Sequence, residues 1–240
     1  MLSKNQVKLI HGLKKKKIRQ SEQLFIAEGI KVVEELLGSK IKVHKLFFTD
    51  AYLNPYNVTD YQIITDKELQ LISDFSSPNQ VFGIFEIPMF KEPVHNGLTV
   101  LLDEINDPGN LGTIIRLCDW FGVDQLVCST NTADCYNQKV VQASMGSLAR
   151  LNVTYTDVVS YLKKEKRPVY GTFLNGDNVY DTKLEAEAVL ILGNEANGIS
   201  KAVEAFVTQK LTIPQFGENQ LTESLNVAMA AAIFLSEFRR

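Results

Sequence analysis

The sequence predicts an α/β protein built in two parts. Three observations predict it. Short runs rich in Val, Ile, Leu and Phe alternate with amphipathic stretches along most of the chain, the order in which α/β folds lay down strands and helices. Two runs, "LTVLLDE" (98–104) and "EAVLILGNE" (187–195), are apolar without alternation, as parallel strands covered on both faces are. Between the halves lies "PMFKEPVHNG" (88–97), with two prolines, a glycine and no periodicity, which marks a linker. The predicted layout is a basic arm at 1–18, a small α/β domain at 19–88, a linker at 89–97 and a larger α/β domain at 98–240.

Each element follows from local pattern. "LFIAEGIKVVEELLGSK" is a short strand running into a helix with Ile30, Val33, Leu36 and Leu37 on one face. "VHKLFFTD" is a strand, "DKELQLISDF" a helix opened by an acidic cap, and "QVFGIFEI" another strand. In the larger half, "LTVLLDE" precedes a helix that turns Ile114, Ile115, Leu117, Cys118 and Phe121 inward and stops at Gly122. "DQLVCS" is the next strand and "NQKVVQASMGSLARL" a helix; "RPVYGTFL" and "EAVLILGNE" are buried strands. "KLTIPQ" closes the set before a final helix, "SLNVAMAAAIFLSEFRR", whose small residues at 228 and 230–232 permit close approach of another backbone. No fixed-period repeat is present.

Composition narrows the function. The chain of 240 residues is 45% hydrophobic and 22% charged, as ordinary soluble globular proteins are. No apolar stretch approaches the ~20 residues of a membrane helix, and the N-terminus lacks the apolar core of a signal peptide. Cys118, Cys128 and Cys135 form no CxxC pair, and His11, His44 and His95 are scattered, so no metal site is expected and the predicted location is cytoplasmic. Residues 1–20 hold Lys4, Lys8, Lys14, Lys15, Lys16, Lys17 and Arg19 with no acid, leaving the rest of the chain at −10 against a total of −3. A basic arm on an acidic body suits capture of a polyanion; the bland reading is a solvated terminus.

Three polar loops follow strands: "NDPGNLG" (106–112), "GNEANGIS" (193–200) and "PQFGENQLTESLN" (214–226). Ligands of open α/β sheets bind beyond the carboxyl ends of the strands. Any one of these loops could be a mere helix cap; three at one sheet edge argue for a site. "DPGNLGTI" is not the GxGxxG of a dinucleotide fold, and no P-loop Lys-Ser pair appears, which argues against a dehydrogenase or an NTPase.

The segments "NDPGNLGTIIRLCDWFG", "LILGNEANGIS" and "IPQFGENQLTESLNVAMAAAIFLSEFRR" resemble, in order and spacing, the three signature motifs of the SpoU (TrmH-type) RNA 2′-O-methyltransferases. "KVVQASMGSL" also looks like that family, and "KIRQSEQLFIAEGIKVVEELL" is similar to the small RNA-binding domain that many members carry. The resemblance runs from about residue 14 to 240. It implies a SPOUT-type catalytic domain, a parallel α/β sheet with a deep trefoil knot, and a homodimer whose active site is completed across the interface. It implies S-adenosylmethionine as cofactor and ribosomal or transfer RNA as partner, with neither metal nor membrane.

By the same resemblance Leu192, Gly193, Asn194, Ile213, Pro214 and Leu225 line the cofactor pocket, with Thr172 and Phe173 as another wall. Asn110, Arg116, Glu195, Ser224 and Asn226 match the catalytic polar residues, and Lys14, Lys15, Lys16, Lys17 and Arg19 are the expected RNA contacts. Ala196 stands where the family often has glycine, Gln142 where it often has arginine, and "FGENQLTE" (216–223) is longer than in compact members.

The reaction transfers a methyl group from a sulfonium to a ribose hydroxyl, so the site must align the reacting atoms and stabilise oxygen as its proton leaves. Arginine keeps its proton at neutral pH. Arg116 therefore either works as a base with help from an RNA phosphate or holds that phosphate and the developing alkoxide, with Glu195 orienting the guanidinium. Its bland alternative is a surface ion pair with Asp119. Two other functions are compatible with the same fold: an inactive RNA-binding relative and a SPOUT base methyltransferase.

Overall fold

A computed structural model describes residues 1–52, 58–89, 91–217 and 223–240. In chain order the smaller half runs α1 (Lys4–Leu13), α2 (Lys16–Glu22), β1 (Leu24–Glu28), α3 (Ile30–Leu37), β2 (Val43–Phe48), β3 (Tyr61–Ile63), α4 (Asp66–Ile72) and β4 (Val81–Glu86). The larger half continues with β5 (Leu98–Asp103), α5 (Pro108–Trp120), β6 (Gln125–Ser129), α6 (Gln138–Ser144) and β7 (Asn152–Thr156). It ends with α7 (Val158–Leu162), β8 (Val169–Asn178), β9 (Ala188–Gly193), α8 (Lys201–Glu204), β10 (Gln209–Thr212) and α9 (Val227–Phe238). These elements form two compact units: Met1–Met89 with Asp134–Arg150, and Phe90–Ala133 with Leu151–Arg240.

In the first unit the sheet order is β1-β4-β2-β3, with β4 antiparallel to both neighbours and β3 parallel to β2. The first eighteen residues are not an arm. Ser3 and Gln6 form a capping box at the start of α1, and Ile10 and Leu13 lie in one core with Leu24, Ile26, Phe47 and Phe82. Each such aliphatic side chain stabilises the fold by about 1.5–3 kcal/mol on burial, which outweighs the repulsion among solvated lysines. The helix at 66–72 is capped by Thr65 through a capping box with Glu68 rather than by an acid.

The segment 134–150 belongs to this first unit, and the helix predicted over 137–151 in the larger domain is broken. Helix α6 ends at Met145 and Gly146, both left-handed (φ 50° and 87°), and a single 3-10 turn follows at Ser147–Ala149. A Cβ on Gly146 would lie 2.3 Å from Glu35 Cβ, so glycine is required there. Tyr136 packs on Phe25 with ring centroids 4.9 Å apart, and Gln138 Nε2 donates to the Glu28 carboxylate. A boundary drawn from the linker alone does not register this excursion.

The second unit is a six-stranded, wholly parallel sheet in the order β10-β8-β9-β5-β6-β7. The middle strands β9 and β5 are buried almost end to end, as their unbroken apolar runs require. Strand β7 and the short helices α7 and α8 lie outside the predicted elements; α7 is capped by Asp157. The pairing of β10 with β8 jumps from Lys210↔Gly171 to Leu211↔Asp177, so residues 172–176 bulge out of β8. Helix α9 packs on α5, burying Ala228 and Ala231, and Arg239 Nε donates to the Phe121 carbonyl at 2.6 Å.

At the amino-terminal edge of this sheet, His95 stacks on Tyr161 with centroids 4.5 Å apart, and its Nδ1 lies 3.0 Å from Glu165 Oε2. Glu165 is also held by Arg167 Nε at 2.9 Å and Nη2 at 2.7 Å, and Tyr161 donates to the Val94 carbonyl at 3.0 Å. These bonds fasten the chain just before β5 to the sheet.

Candidate active site

Three of the five predicted polar residues, Asn110, Glu195 and Asn226, meet at the carboxyl edge of the parallel sheet. Asp107 caps α5 by accepting the Asn110 N–H at 2.8 Å, and Pro108 starts the helix where no N–H is needed. The Asn110 side chain is thereby aimed out of the first turn. Its Nδ2 donates to Glu195 Oε1 at 3.0 Å, and its Oδ1 accepts from Asn226 Nδ2 at 2.9 Å. Asn226 is the cap of α9, its Oδ1 taking the N–H groups of Ala228 and Met229 at 2.9 and 3.3 Å. One residue from each of the three polar loops thus enters a single hydrogen-bonded chain.

The Glu195 loop is built by Asn194. Asn194 Oδ1 accepts from the N–H of Ala196 and of Asn197, both at 3.0 Å, and its Nδ2 donates to the Glu104 carbonyl at 2.8 Å. The backbones of Asn194 and Gly198 pair, and Gly198 holds φ +68°, a conformation that favours glycine. The far end is fixed by Asp103 Oδ2, which accepts the Ser200 N–H at 2.7 Å.

Arg116 is not part of this chain. Six residues beyond Asn110 on a helix means about 9 Å of rise and about 240° of turn, so it leaves α5 on another side. It is exposed, and no hydrogen bond or ion pair among the described residues involves its side chain. The expectation that Glu195 orients the guanidinium is therefore corrected: in this chain Glu195 takes the Asn110 amide. Ser224 is exposed just before the α9 cap.

Most of the expected cofactor residues fall on or just beyond three adjacent strands. Thr172 and Phe173 open the β8 bulge, Leu192 and Gly193 end β9 with Asn194 behind them, and Ile213 and Pro214 follow β10. Leu225 is half exposed just ahead of α9. Thr172 Oγ1 donates to the Ile191 carbonyl at 3.0 Å, and Lys210 Nζ sits 4.5 Å above the Phe173 ring. A Cβ on Gly193 would lie 2.3 Å from the Gly198 carbonyl carbon and 2.4 Å from Ile199 N. The glycine admits the returning loop backbone, so a larger residue strains the loop itself. Of the longer loop at 216–223, residues 218–222 lie outside the described residues.

The basic residues divide. Lys15, Lys16 and Lys17 carry no ion pair among the described residues, whereas Lys14 pairs with Asp74. Arg19 is only 2% exposed, bonds Asp134 Oδ2 through Nε at 3.0 Å, and donates to the Leu13 carbonyl at 2.8 Å. It is a structural cation, not an exposed phosphate contact. Its sequence neighbours hide this, since its partner lies 115 residues away.

A second feature of the same sheet edge escaped the sequence. A cleft of about 270 Å³ opens beyond β5, β6 and β7, lined by Asp103, Glu104, Ser129, Asn131, Asp157 and Ser200 among others. Val158, Val159 and Val203 give it an apolar side as well.

The SpoU rRNA Methylase family model matches residues 97–236. The chain belongs to this family. The SpoU match covers the whole sheet and all three loops, and an MRM3-like substrate binding domain matches residues 4–83. Among SpoU-type relatives, the chain is 34% identical to the 23S rRNA (guanosine(2553)-2′-O)-methyltransferase RlmP of Bacillus subtilis, over 99% of this chain and 97% of that one. A candidate RNA methyltransferase of the TrmH family from Porphyromonas gingivalis superposes with a TM-score of 0.90 at 41% identity, covering 100% of this chain and 98% of that one. The AdoMet-bound rRNA methyltransferase of Sinorhizobium meliloti superposes at 0.82 with 30% identity, covering 100% and 95%. No helix among the described residues of this SpoU protein is long and apolar enough to cross a membrane.

Proposed function

We propose that this protein transfers a methyl group from S-adenosylmethionine to a ribose 2′-hydroxyl of ribosomal RNA. The observation that carries the reading is the Asn226–Asn110–Glu195 chain, which joins all three family loops at one sheet edge. Similarity to RlmP along nearly the full length of both proteins supports ribosomal RNA over transfer RNA.

The residues present fit the cofactor. Leu174, directly after Phe173, Phe216, two residues beyond Pro214, and Leu225, just ahead of α9, leave large apolar surfaces exposed, and an adenine ring with a methionine chain would cover such surfaces. Bound there, S-adenosylmethionine supplies an electrophilic methyl group on a positively charged sulfur. Leu192, Gly193 and Asn194 fix the loop that borders the pocket. Asn110 and Asn226, locked to each other and to Glu195, present an ordered polar face to the ribose. Ser224, exposed ahead of the α9 cap, adds a hydroxyl to that face. Arg116, exposed on another side of α5 and without a side-chain partner among the described residues, would serve the site of the second copy in a pair, holding an RNA phosphate by its planar fork and stabilising the alkoxide as the 2′-hydroxyl proton passes to solvent.

Lys15, Lys16 and Lys17 on the substrate-binding unit would contact RNA backbone. Two copies would pair through α5 and α9, where Trp120 and Met229 are exposed, with the C-terminal segment threaded as the family's trefoil knot and the protein acting in the cytoplasm. The test is an RNA with a 2′-deoxy sugar at the target nucleotide. It should bind with little loss and accept no methyl group, because the nucleophile is gone while phosphates and base edges remain. Methylation of the substituted nucleotide would assign the reaction to a base atom.

A further inference from the structure

We propose that Glu104 is a positioning residue for methyl transfer: its left-handed backbone sets the course of the chain that brings Asn110 to Glu195. The inference rests on the function proposed above. Glu104 has φ +62° and directly follows β5. Among the described residues, Gln23, Gln80 and Met145 also have positive φ. Gln23 and Met145 are helix C-caps, where that conformation is common, and Gln80 lies in the bend ahead of β4. Glu104 instead stands at the end of a central strand, beside the site. A glutamate persists in this conformation there only where its surroundings over-determine it.

They do. The Glu104 N–H donates to Ser129 Oγ at 2.9 Å, its carbonyl accepts from Asn194 Nδ2 at 2.8 Å, and its Oε1 accepts from Asn131 Nδ2 at 2.7 Å. These ties come from the ends of β6 and β9, the strands on either side of β5. A closed circuit results: from Glu104 along the chain to Asn110, across to Glu195, back one residue to Asn194, and across to Glu104. Rotation of Glu104 into the extended region would turn its carbonyl away from Asn194 and redirect the residues leading to Asn110. The carboxylate contributes one bond to the clamp, but the backbone conformation closes the circuit.

Glu104→Gly, Glu104→Ala and Glu104→Val in the full-length protein test this. Glycine removes the carboxylate yet accepts the left-handed backbone, alanine resists it mildly, and valine's β-branch resists it most. The expected order of kcat is Gly above Ala above Val, with Gly near wild type and Val down roughly tenfold, the effect of about 1.4 kcal/mol on a barrier. Amide hydrogen exchange on the protein alone should follow the same order at Ala196 and Asn197, whose N–H groups depend on a fixed Asn194 side chain. If Val does not fold, Ala against Gly decides. A Gly variant as impaired as Val would overturn the proposal in favour of the carboxylate, and equal exchange across the series would overturn the clamp itself. Exchange that follows the order in a protein that methylates no RNA would leave the clamp standing and refute the assigned reaction.

Discussion

Asn226 Nδ2 donates to Asn110 Oδ1 at 2.9 Å, joining the first turns of α5 and α9 across 116 residues of sequence. The same Asn226 side chain caps α9 through Oδ1, so its two ends do separable jobs. Asn226→Asp retains a good cap but replaces the donor with an oxygen facing Asn110 Oδ1. It should melt near wild type while single-turnover methyl transfer falls at least roughly tenfold, about 1.4 kcal/mol of misalignment. Asn226→Ala should remove the cap as well, about 1 kcal/mol of stability. Full transfer by Asn226→Asp would show the link to be incidental.

The lysines and Arg19 should behave oppositely. Replacing Lys15, Lys16 and Lys17 by alanine is expected to weaken RNA binding and to lower the log–log salt slope by roughly 0.7–0.9 for each phosphate that the lysines neutralise. Arg19→Ala leaves Asp134 without its partner and should cost about 3–5 kcal/mol in urea unfolding, with the folded fraction binding RNA normally. An unchanged salt slope in the triple variant would leave the lysines merely solvated.

Gly193→Ala is expected to lower the melting temperature of the cofactor-free protein, because the new Cβ meets the backbone of Gly198 and Ile199; overpacking of this kind costs about 1–3 kcal/mol. Normal melting with S-adenosylmethionine binding abolished would instead mean that the side chain enters the cofactor site.

Acid should loosen the fastening ahead of β5. Burial alone would raise the Glu165 carboxyl, but bonds from the Arg167 side chain and backbone, His95 and the Lys166 N–H outweigh it and hold the group far below its ordinary value. A carboxyl depressed in the folded state stabilises above its unfolded value, about 4.3, and that stability drains away as pH falls below it. Urea unfolding between pH 3 and 7 should show this acid loss, and Glu165→Gln should flatten it. An equally steep acid limb in the variant would place the titration elsewhere.

The α/β class, the central strands and the gathering of three loops at one edge were legible because each is local: an unbroken apolar run, a cap signature, a Gly/Asn-rich turn. The resemblance to SpoU motifs then selected Asn110, Glu195 and Asn226, which do meet. What escaped was non-local. Charge alone made residues 1–18 an arm, although Ile10 and Leu13 carry the helical stripe that buries them. Arg19 reads as basic surface until Asp134, 115 residues away, is beside it. Glu104 reads as the end of a strand, since no sequence pattern announces a left-handed glutamate fixed by neighbouring strand ends. The role of Gly193 depends on which backbone returns across it, which spacing does not specify.

The acceptor proposed for the methyl group is a ribose. The direct measurement is to incubate unmodified ribosomal RNA with the protein and S-adenosylmethionine labelled in its methyl group, digest the product to nucleosides, and weigh base and sugar fragments separately by mass spectrometry. Ribose methylation gives one 2′-O-methylnucleoside with the label in the sugar fragment, and none from an Arg116→Ala protein that still binds the cofactor. Label in a base fragment, or no incorporation by a folded, cofactor-bound wild-type protein offered its full ribosomal RNA, would contradict it.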